Sequence, residues 1–254
     1  MNITAAIYRR ELRAYFATPV AGVFLVVFLI LAGYVGFSMR PTYVAGFFLG
    51  GFFERNQADL GALLEGLPLL FVVLVPAITM RLWAEERRSG TIEQLLTLPV
   101  SMGQAVLGKF LAAWTFTAVA LALTVPAWLT VNYLGDPDNG VILTGYLGAL
   151  LMAGAYLALG SALSALTSNQ VVAFVLSVVA CLAVTMLGTH DVVGFLTTLL
   201  PEGAVDAIVY FSFKTHFDAI VKGVVDLRDV LFFLSAIGLG LVANAVIIER
   251  TKAS

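Results

Sequence analysis

One heptapeptide has the spacing of a phosphate-binding loop. Gly103 and Gly108 are separated by four residues and Lys109 follows directly. Such a loop needs a serine or threonine after the lysine to hold Mg²⁺, and it follows a strand. Phe110 occupies that position, and the segment opens a long apolar run. We therefore predict that this chain binds no nucleotide and is not itself an enzyme.

Two histidine-containing pairs are the other candidates for chemistry. His190-Asp191, and His216 with Asp218, contain residue types found in metal sites and catalytic dyads. No cysteine or glutamate stands at ligand spacing, and the lone Cys181 excludes an internal disulfide or a multi-cysteine metal site. We predict no catalytic, cofactor-binding or metal-binding residue, and expect both pairs to serve outer-loop capping and surface polarity.

The densest charge cluster of the sequence occupies residues 81–101, between two long apolar runs. Thr91 and Gln94 fit a capping box, Gly90 frees the backbone to turn just before it, and Pro99 stops a helix. Positions 92, 95 and 96 share one apolar face. This pattern predicts a short amphipathic helix, at about residues 85–98, lying along the membrane where a partner docks.

The pattern Glu86-x-x-x-Gly90-Thr91-x-Glu93-x-Leu95-Leu96-x-x-Pro99-Val100-Ser101 resembles the segment after the second span of ABC-2 type permeases, the membrane subunits of ATP-binding-cassette transporters. In that family the segment is a cytoplasmic coupling helix that seats in a groove on the ATPase subunit. The resemblance implies that an ATPase is contacted by Glu86, Ser89, Gly90, Thr91, Glu93 and Gln94. It also implies that the helix is held to the bundle by Leu95 and Leu96.

Residues 217–229 are similar to the matching part of the gliding-motility (GldF-like) permease branch. The family resemblance implies two ATPase subunits, which bind the ATP and magnesium, and two permease subunits, either two copies of this chain in a homodimer or one copy with a sibling. The branch implies an exporter or a cell-surface role and an auxiliary membrane or periplasmic subunit. This chain itself is expected to hold no cofactor.

The composition predicts a polytopic membrane protein. Hydrophobic residues make up 60% of the chain and charged residues 12%, against about 25% charged in soluble proteins. The formal net charge of −2 and the lack of a basic patch interleaved with aromatics give no sign of nucleic-acid binding. The lipid bilayer is the expected environment.

Apolar runs long enough to cross a bilayer predict an all-α bundle of six transmembrane helices in one permease domain, residues 1–254. Small residues recur at packing intervals in the fourth span and predict close helix contacts there. Residues 189–229 are too interrupted to span and are predicted to form outer re-entrant or amphipathic helices. The spans are expected at about 19–39, 60–82, 106–131, 141–166, 171–187 and 230–248.

An N-terminal interfacial helix is predicted at residues 3–16, with a basic face formed by Arg9, Arg10 and Arg13. Suppose the N-terminus, the segment 81–109, the turn 167–170 and the C-terminus share one side. That side then carries nine of the 14 lysines and arginines, which places it in the cytoplasm. The expected location is the bacterial cytoplasmic (inner) membrane, with both termini cytoplasmic.

Two other functions are compatible with part of this pattern. An ATP-independent transporter or channel would need charges or polar breaks inside the membrane, and the interiors of spans three to six contain none by this assignment. A structural anchor could recruit a cytoplasmic partner through residues 81–101 without moving anything. Sequence alone separates the anchor poorly from the transporter subunit.

Overall fold

The computed structural model describes residues 3–38, 42–44, 47–49, 51–55, 58–91 and 101–252, most of them helical. The elements in chain order are α1 Ile3–Ala17, α2 Pro19–Phe37, β1 Thr42–Val44, β2 Phe47–Leu49, α3 Phe52–Arg55, α4 Gly61–Thr79, α5 Ala84–Ser89, α6 Met102–Ala122, α7 Val125–Leu134, α8 Asn139–Ser164, α9 Gln170–Met186, α10 His190–Leu199, α11 Glu202–Val209, α12 Phe213–Val221 and α13 Leu227–Lys252.

The described residues contain four helical stretches that could cross a bilayer by length and composition. Two bent helix pairs qualify only when both helices are counted together, with bends of 72° after α1 and 74° after α9. The chain is therefore a multi-pass helical membrane protein with four to six spans, and the six-span arrangement stays a prediction. The four stretches are Gly61–Ser89, Met102–Leu134, Asn139–Ser164 and Leu227–Arg250.

Helix α8 is the central element of the bundle. It has 26 residues, which makes it about 39 Å long, and it contacts α4, α6, α9, α12 and α13. Its buried face is rich in glycine, alanine and serine, so neighbouring backbones can approach closely. At Gly160, for example, an added Cβ would lie 2.4 Å from Thr79 Oγ1. The predicted packing role of the small residues in this span agrees with these contacts.

The third predicted span begins earlier than expected. Helix α6 starts at Met102, where the prediction had position 106, and the chain breaks between α6 and α7. Pro126 lies in the first turn of α7, where its missing N–H costs no helical hydrogen bond. The earlier start places Lys109 two turns inside α6 instead of near the beginning of the predicted span.

A short antiparallel hairpin departs from the predicted all-helical fold. Strands β1 and β2 pair with Thr42 opposite Leu49 and Val44 opposite Phe47. The sequence of residues 40–59 predicts a loop with an interfacial helix, but the β-branched and aromatic residues of the two strands favour extended backbone. The hairpin returns to the end of α2, where the Gly51 N–H donates to Ser38 Oγ at 2.9 Å.

Side-chain caps fix where several helices begin. Ser101 and Gln104 have the spacing of a capping box in the sequence, and both reciprocal hydrogen bonds are present at the start of α6. Asn169 Oδ1 accepts from the Val171 N–H at 2.9 Å and so begins α9 directly after the reversal between the two apolar helices. The polar 167–170 cluster therefore divides a charge-free run into α8 and α9.

Three short helices, α10 to α12, occupy the stretch before α13. Asp218 and Lys222 have the i,i+4 spacing from which the sequence predicts a pair on one helix. That prediction is wrong, because Asp218 pairs with Lys214, one turn earlier. Lys222 is the residue at which α12 ends, so it leaves the helical face that Asp218 occupies. Asp226 Oδ1 accepts from the Arg228 N–H at 2.9 Å and caps α13.

Candidate coupling site and its anchoring network

The connector, defined here as residues 80–101, contains the short helix α5. This helix ends at Gly90, whose φ of 72° lies in the left-handed region that glycine adopts without strain. The predicted turn at Gly90 is therefore present. The described part of the predicted helix at about residues 85–98 is interrupted at Gly90, where α5 ends, and residues 92–98 lie outside the described part of the chain, so a helix there stays a prediction.

The far end of α5 is exposed. Ser89, Gly90 and Thr91 all face outward, and the hydroxyls of Ser89 and Thr91 lie 2.9 Å apart. The Ser89 hydroxyl also lies 2.9 Å from the Glu85 carbonyl, to which it donates, so it closes the last turn. The other predicted site residues, Glu93, Gln94, Leu95 and Leu96, lie outside the described residues, and their docking and packing roles stay predictions.

The near end of α5 contacts a buried charge cluster. Lys109 is only 3% exposed, and its Nζ lies 2.7 Å from Glu86 Oε1 and 3.4 Å from Glu11 Oε1. The same ammonium lies 5.1 Å from the centre of a Trp83 ring. A buried cation requires such compensation. These four residues, named here the Lys109 cluster, join α5 to α1 and α6.

The cluster changes the interpretation of Glu86. The sequence placed its carboxylate on the docking surface, but the side chain is 19% exposed and binds Lys109. Among the predicted docking residues that the structure describes, Glu86 anchors the connector while Ser89, Gly90 and Thr91 remain accessible. Glu86 differs from the prediction because α6 places Lys109 next to α5, where the ammonium contacts the Glu86 carboxylate.

The same packing explains the pattern that resembled a phosphate-binding loop. An added Cβ at Gly108 would lie 2.9 Å from Ile7 Cγ2 and 3.2 Å from the Thr4 carbonyl oxygen. Glycine at this position therefore lets α1 pack directly on α6. Lys109, the next residue, forms ion pairs with Glu11 and Glu86. Gly108 and Lys109 therefore both have structural roles.

Ser164 of α8 caps helix α5 from a neighbouring element. Its hydroxyl accepts from the backbone N–H groups of Trp83 at 3.3 Å and Ala84 at 3.2 Å, and donates to the Met80 carbonyl at 3.2 Å. No local side chain caps α5. The first N–H groups of a helix lack internal partners, so this buried serine satisfies them and fixes where α5 begins.

A second serine extends the network to the last helix. Ser161 Oγ accepts from the Trp83 indole N–H at 3.1 Å and from Asn244 Nδ2 at 2.6 Å. The Arg87 guanidinium donates to the Ala165 carbonyl at the end of α8. The connector is thus held by α1, α6, α8 and α13 through side chains at one end of the bundle.

Helix α1 packs on α6 through one face and exposes the other. Tyr8 Oη lies 3.2 Å from Thr115 Oγ1, to which it donates, and the Tyr15 ring stacks on Phe116 at a centroid distance of 5.1 Å. The opposite face is basic and exposed, as the sequence pattern predicts; its contact with a membrane surface stays a prediction. That face carries Arg9, Arg10 and Arg13.

The cluster perturbs the ionisation of Glu11 in the interfacial helix. Burial alone would raise the pKa of this carboxyl, but the Lys109 ammonium and the neighbouring Arg10 guanidinium together hold the pKa below its usual 4.5. Arg10 Nη2 lies 2.6 Å from Glu11 Oε1. Glu11 is therefore a carboxylate at neutral pH and balances the buried ammonium.

At the opposite end of the bundle, His216 is buried, which contradicts the predicted surface role. Its Nδ1 lies 2.6 Å from Asp229 Oδ1 and its Nε2 lies 2.8 Å from the Tyr210 carbonyl oxygen. The ring stacks on Phe232 at 3.9 Å. The partner is Asp229 on α13 instead of the nearby Asp218, so His216 holds α12 against the last helix.

Metal-binding geometry is absent from the described ranges: they contain no group of three or more histidine, cysteine, aspartate or glutamate side chains that could hold an ion. Cys181 is buried within α9, as expected for a small packing residue.

Sequence reasoning missed several of the anchoring residues. Glu11, Trp83, Ser161, Ser164 and Asn244 were not among the candidates. One signal was available: a lysine inside an apolar run of spanning length needs a buried partner, and that requirement applies to Lys109. The serines gave no such signal, because serine also occurs at helix contacts without hydrogen-bonding across them.

Fold and site together define a polytopic helical membrane protein with a partly exposed connector anchored at one end of the bundle. A family model described as an ABC-2 family transporter protein matches residues 55–243, well over half of the chain. The chain belongs to this family, whose members are permease components of ATP-binding-cassette transporters. A comparison with curated proteins found no match.

Proposed function

We propose that the chain couples ATP hydrolysis by separate ATPase subunits to movement of a substrate or to conformational work across the membrane. The supporting observation is the two-sided connector. Its exposed turn, Ser89 to Thr91, is available to a partner, while Trp83 and Glu86 fix its near end to the helices. The adjoining Glu93 and Gln94 complete the proposed docking surface on the strength of the family pattern.

Force applied to the exposed turn would pass through charged and hydrogen-bonded contacts into the bundle. Helix α5 is only six residues long and is capped at its start by Ser164, so it moves as one piece. When α5 moves, the ion pair of Glu86 with Lys109 transmits the movement to α6, and the contact of Lys109 with Glu11 transmits it to α1. The hydrogen bond of Trp83 to Ser161 transmits it to α8, and the bond of Ser161 with Asn244 transmits it to α13. Closure of an ATPase dimer can in this way rearrange four helices at once.

The proposed assembly contains two copies of this permease, as a homodimer, and two ATPase subunits that bind ATP and magnesium. An auxiliary membrane or periplasmic subunit, and an exporter or mechanical cell-surface role, follow from the similarity to the gliding-motility branch. We place the connector and both termini on the cytoplasmic side of the bacterial inner membrane. The clustering of Glu11, Lys109, Ala165 and Asn244 at one end of the bundle supports that common side.

The proposal is tested by reconstituting the permease with its ATPase in proteoliposomes and measuring permease-dependent ATP hydrolysis. Gly90→Pro cannot adopt a φ of 72°, and Glu93→Lys reverses a charge on the proposed docking surface. Both variants should insert into the membrane and lose the stimulation of hydrolysis. Gly90→Asn is the matched control, because asparagine tolerates the left-handed region, and it should keep most of the stimulation. Full stimulation in both test variants would refute the coupling role.

The Lys109 cluster also supports a second candidate, an ion-coupled transporter without ATP. The sequence assigned no charge to the interiors of spans three to six, but a lysine and two carboxylates meet inside the structure. Buried ionisable groups can form part of an ion pathway. Transport by the permease alone in liposomes, driven by a proton gradient in the absence of ATP and of an ATPase, would favour this candidate over the coupled one.

A further inference from the structure

A cavity of about 410 Å³ lies between α1, α2, α4 and α6, beside the Lys109 cluster. This volume falls within the range of about 300–1,000 Å³ that is typical of pockets holding one small molecule. The cavity is open at the protein surface, where Val23, on its wall, is 63% exposed. It needs no ATPase partner, so its ligand can be studied on the permease alone.

The cavity is chemically two-ended. Its inner wall is apolar and is formed mainly by Phe24, Val27, Leu74, Ile78 and Phe116. Its other end carries charged side chains from the connector, Arg81 and Glu85. Leu74 lies in α4 and Arg81 in the turn that follows it; at the rise of an α-helix their separation of seven residues corresponds to roughly 10 Å. This depth is about two thirds of one leaflet of a bilayer core.

The charges at the connector end of the cavity have both signs. Within the described part of the chain, neither the Arg81 guanidinium nor the Glu85 carboxylate takes part in an ion pair, and both residues are exposed. Lys109 and Glu11 also line the cavity, but they are bound to each other. A ligand head group at this end therefore meets one available cation and one available anion.

We propose that the cavity binds a single phospholipid of the surrounding leaflet whose head group contains a phosphate and a primary ammonium. The guanidinium of Arg81 can donate two N–H groups to the phosphate oxygens, and the Glu85 carboxylate can accept from the ammonium. An acyl chain then lies along the apolar wall. A purely anionic lipid fits less well, because Glu85 would repel it.

The test is native mass spectrometry of the purified full-length chain in mild detergent, titrated with phosphatidylethanolamine or phosphatidylglycerol. The wild type should retain one phosphatidylethanolamine in preference to phosphatidylglycerol. Ala77→Trp fills the cavity and should weaken retention by at least about tenfold. Val73→Trp is the matched control: it lies one turn earlier on α4, is 47% exposed and does not line the cavity, so it should bind like the wild type.

The head-group contacts are tested separately. Arg81→Gln should weaken retention of both lipids, whereas Arg88→Gln, an exposed arginine of the same segment away from the cavity, should not. Glu85→Gln should abolish the preference for phosphatidylethanolamine. Equal retention of the two lipids by the wild type would overturn the proposal, as would wild-type retention by Ala77→Trp. An Ala77→Trp variant that lost self-association but kept the lipid would instead assign the cavity to a second copy of the chain.

Val23→Trp distinguishes loss of lipid binding from loss of folding. It introduces the same bulky side chain at the exposed mouth of the cavity, where no packed neighbour has to move. It should reduce lipid retention while leaving the melting temperature unchanged. Unchanged retention in this folded variant would also overturn the proposal.

Discussion

Lys109 Nζ and Glu86 Oε1 lie 2.7 Å apart, in an ion pair that joins the connector to the third long helix of the bundle. The lysine side chain is 4% exposed and the glutamate 19%, so solvent screens the pair only partly. Glu11 Oε1 lies 3.4 Å from the same Lys109 Nζ, so a displacement of α5 is transmitted to both α1 and α6. This relationship is the physical basis of the proposed coupling.

Replacing Lys109 by methionine should strongly destabilise the protein. The change leaves two largely buried carboxylates, Glu11 and Glu86, without their cation, and breaking a buried pair from one side costs about 3 kcal/mol or more. The measurement is the free energy of unfolding in detergent micelles. Lys222→Met is the control, because Lys222 is exposed, and it should stay within about 0.5 kcal/mol of the wild type. Equal stability of the two variants would argue against the cluster.

Ser164→Ala should loosen the start of α5. The variant leaves the buried N–H groups of Trp83 and Ala84 without an acceptor, which costs about 1–3 kcal/mol. Hydrogen exchange of residues 83–89 should rise above that of the wild type. Ser235→Ala is the comparison: that exposed hydroxyl bonds only to the Phe232 carbonyl one turn back, and its loss should leave the exchange of α5 unchanged. Unchanged exchange in Ser164→Ala would remove the serine from the anchoring network.

Acid should weaken the contact between α1 and α6 through Glu11. The pKa of this carboxyl is lower in the folded protein than its usual 4.5, so its stabilising contribution is complete above about that pH. The contribution is lost as the pH falls through the lower, folded value. The melting temperature of the wild type should therefore fall more steeply below about pH 4.5 than that of Glu11→Gln. Parallel curves for the two proteins would contradict the assignment.

Two glycines on α13 should respond oppositely to the same substitution. An added Cβ at Gly240 would lie 2.8 Å from Ala158 Cβ and 3.0 Å from its carbonyl carbon, whereas Gly238 has nothing within 4 Å. Gly240→Ala should destabilise the protein by about 1–3 kcal/mol, because it forces α13 away from α8. Gly238→Ala should be neutral or stabilising by up to about 1 kcal/mol, because alanine favours helix. Thermal unfolding of both variants checks the difference.

Much of the bundle could be predicted from local patterns. The long apolar runs, the cap at Ser101 and the turn at Gly90 each depend on a few neighbouring residues, and the structure contains all three. The hairpin of β1 and β2 was missed because its short strands resemble an interfacial helix in composition.

The anchoring network could not be predicted, because its partners are distant in the sequence. Glu11 and Lys109 meet only when α1 packs on α6, and Trp83 meets Ser161 only when the connector folds against α8. His216 illustrates the same limit. Asp218 is its nearest acidic neighbour in sequence, but the helix directs the imidazole toward Asp229 on another element.

The central claim is that the exposed turn of the connector contacts an ATPase. The most direct measurement places a photocrosslinking amino acid at Thr91 and identifies the cross-linked protein in native membranes. The control position is Tyr133 at the far end of α7, which is 90% exposed. The account predicts a cross-link from Thr91 to a subunit carrying nucleotide-binding motifs and none from Tyr133. Absence of that cross-link at Thr91, with the chain correctly inserted, would contradict it.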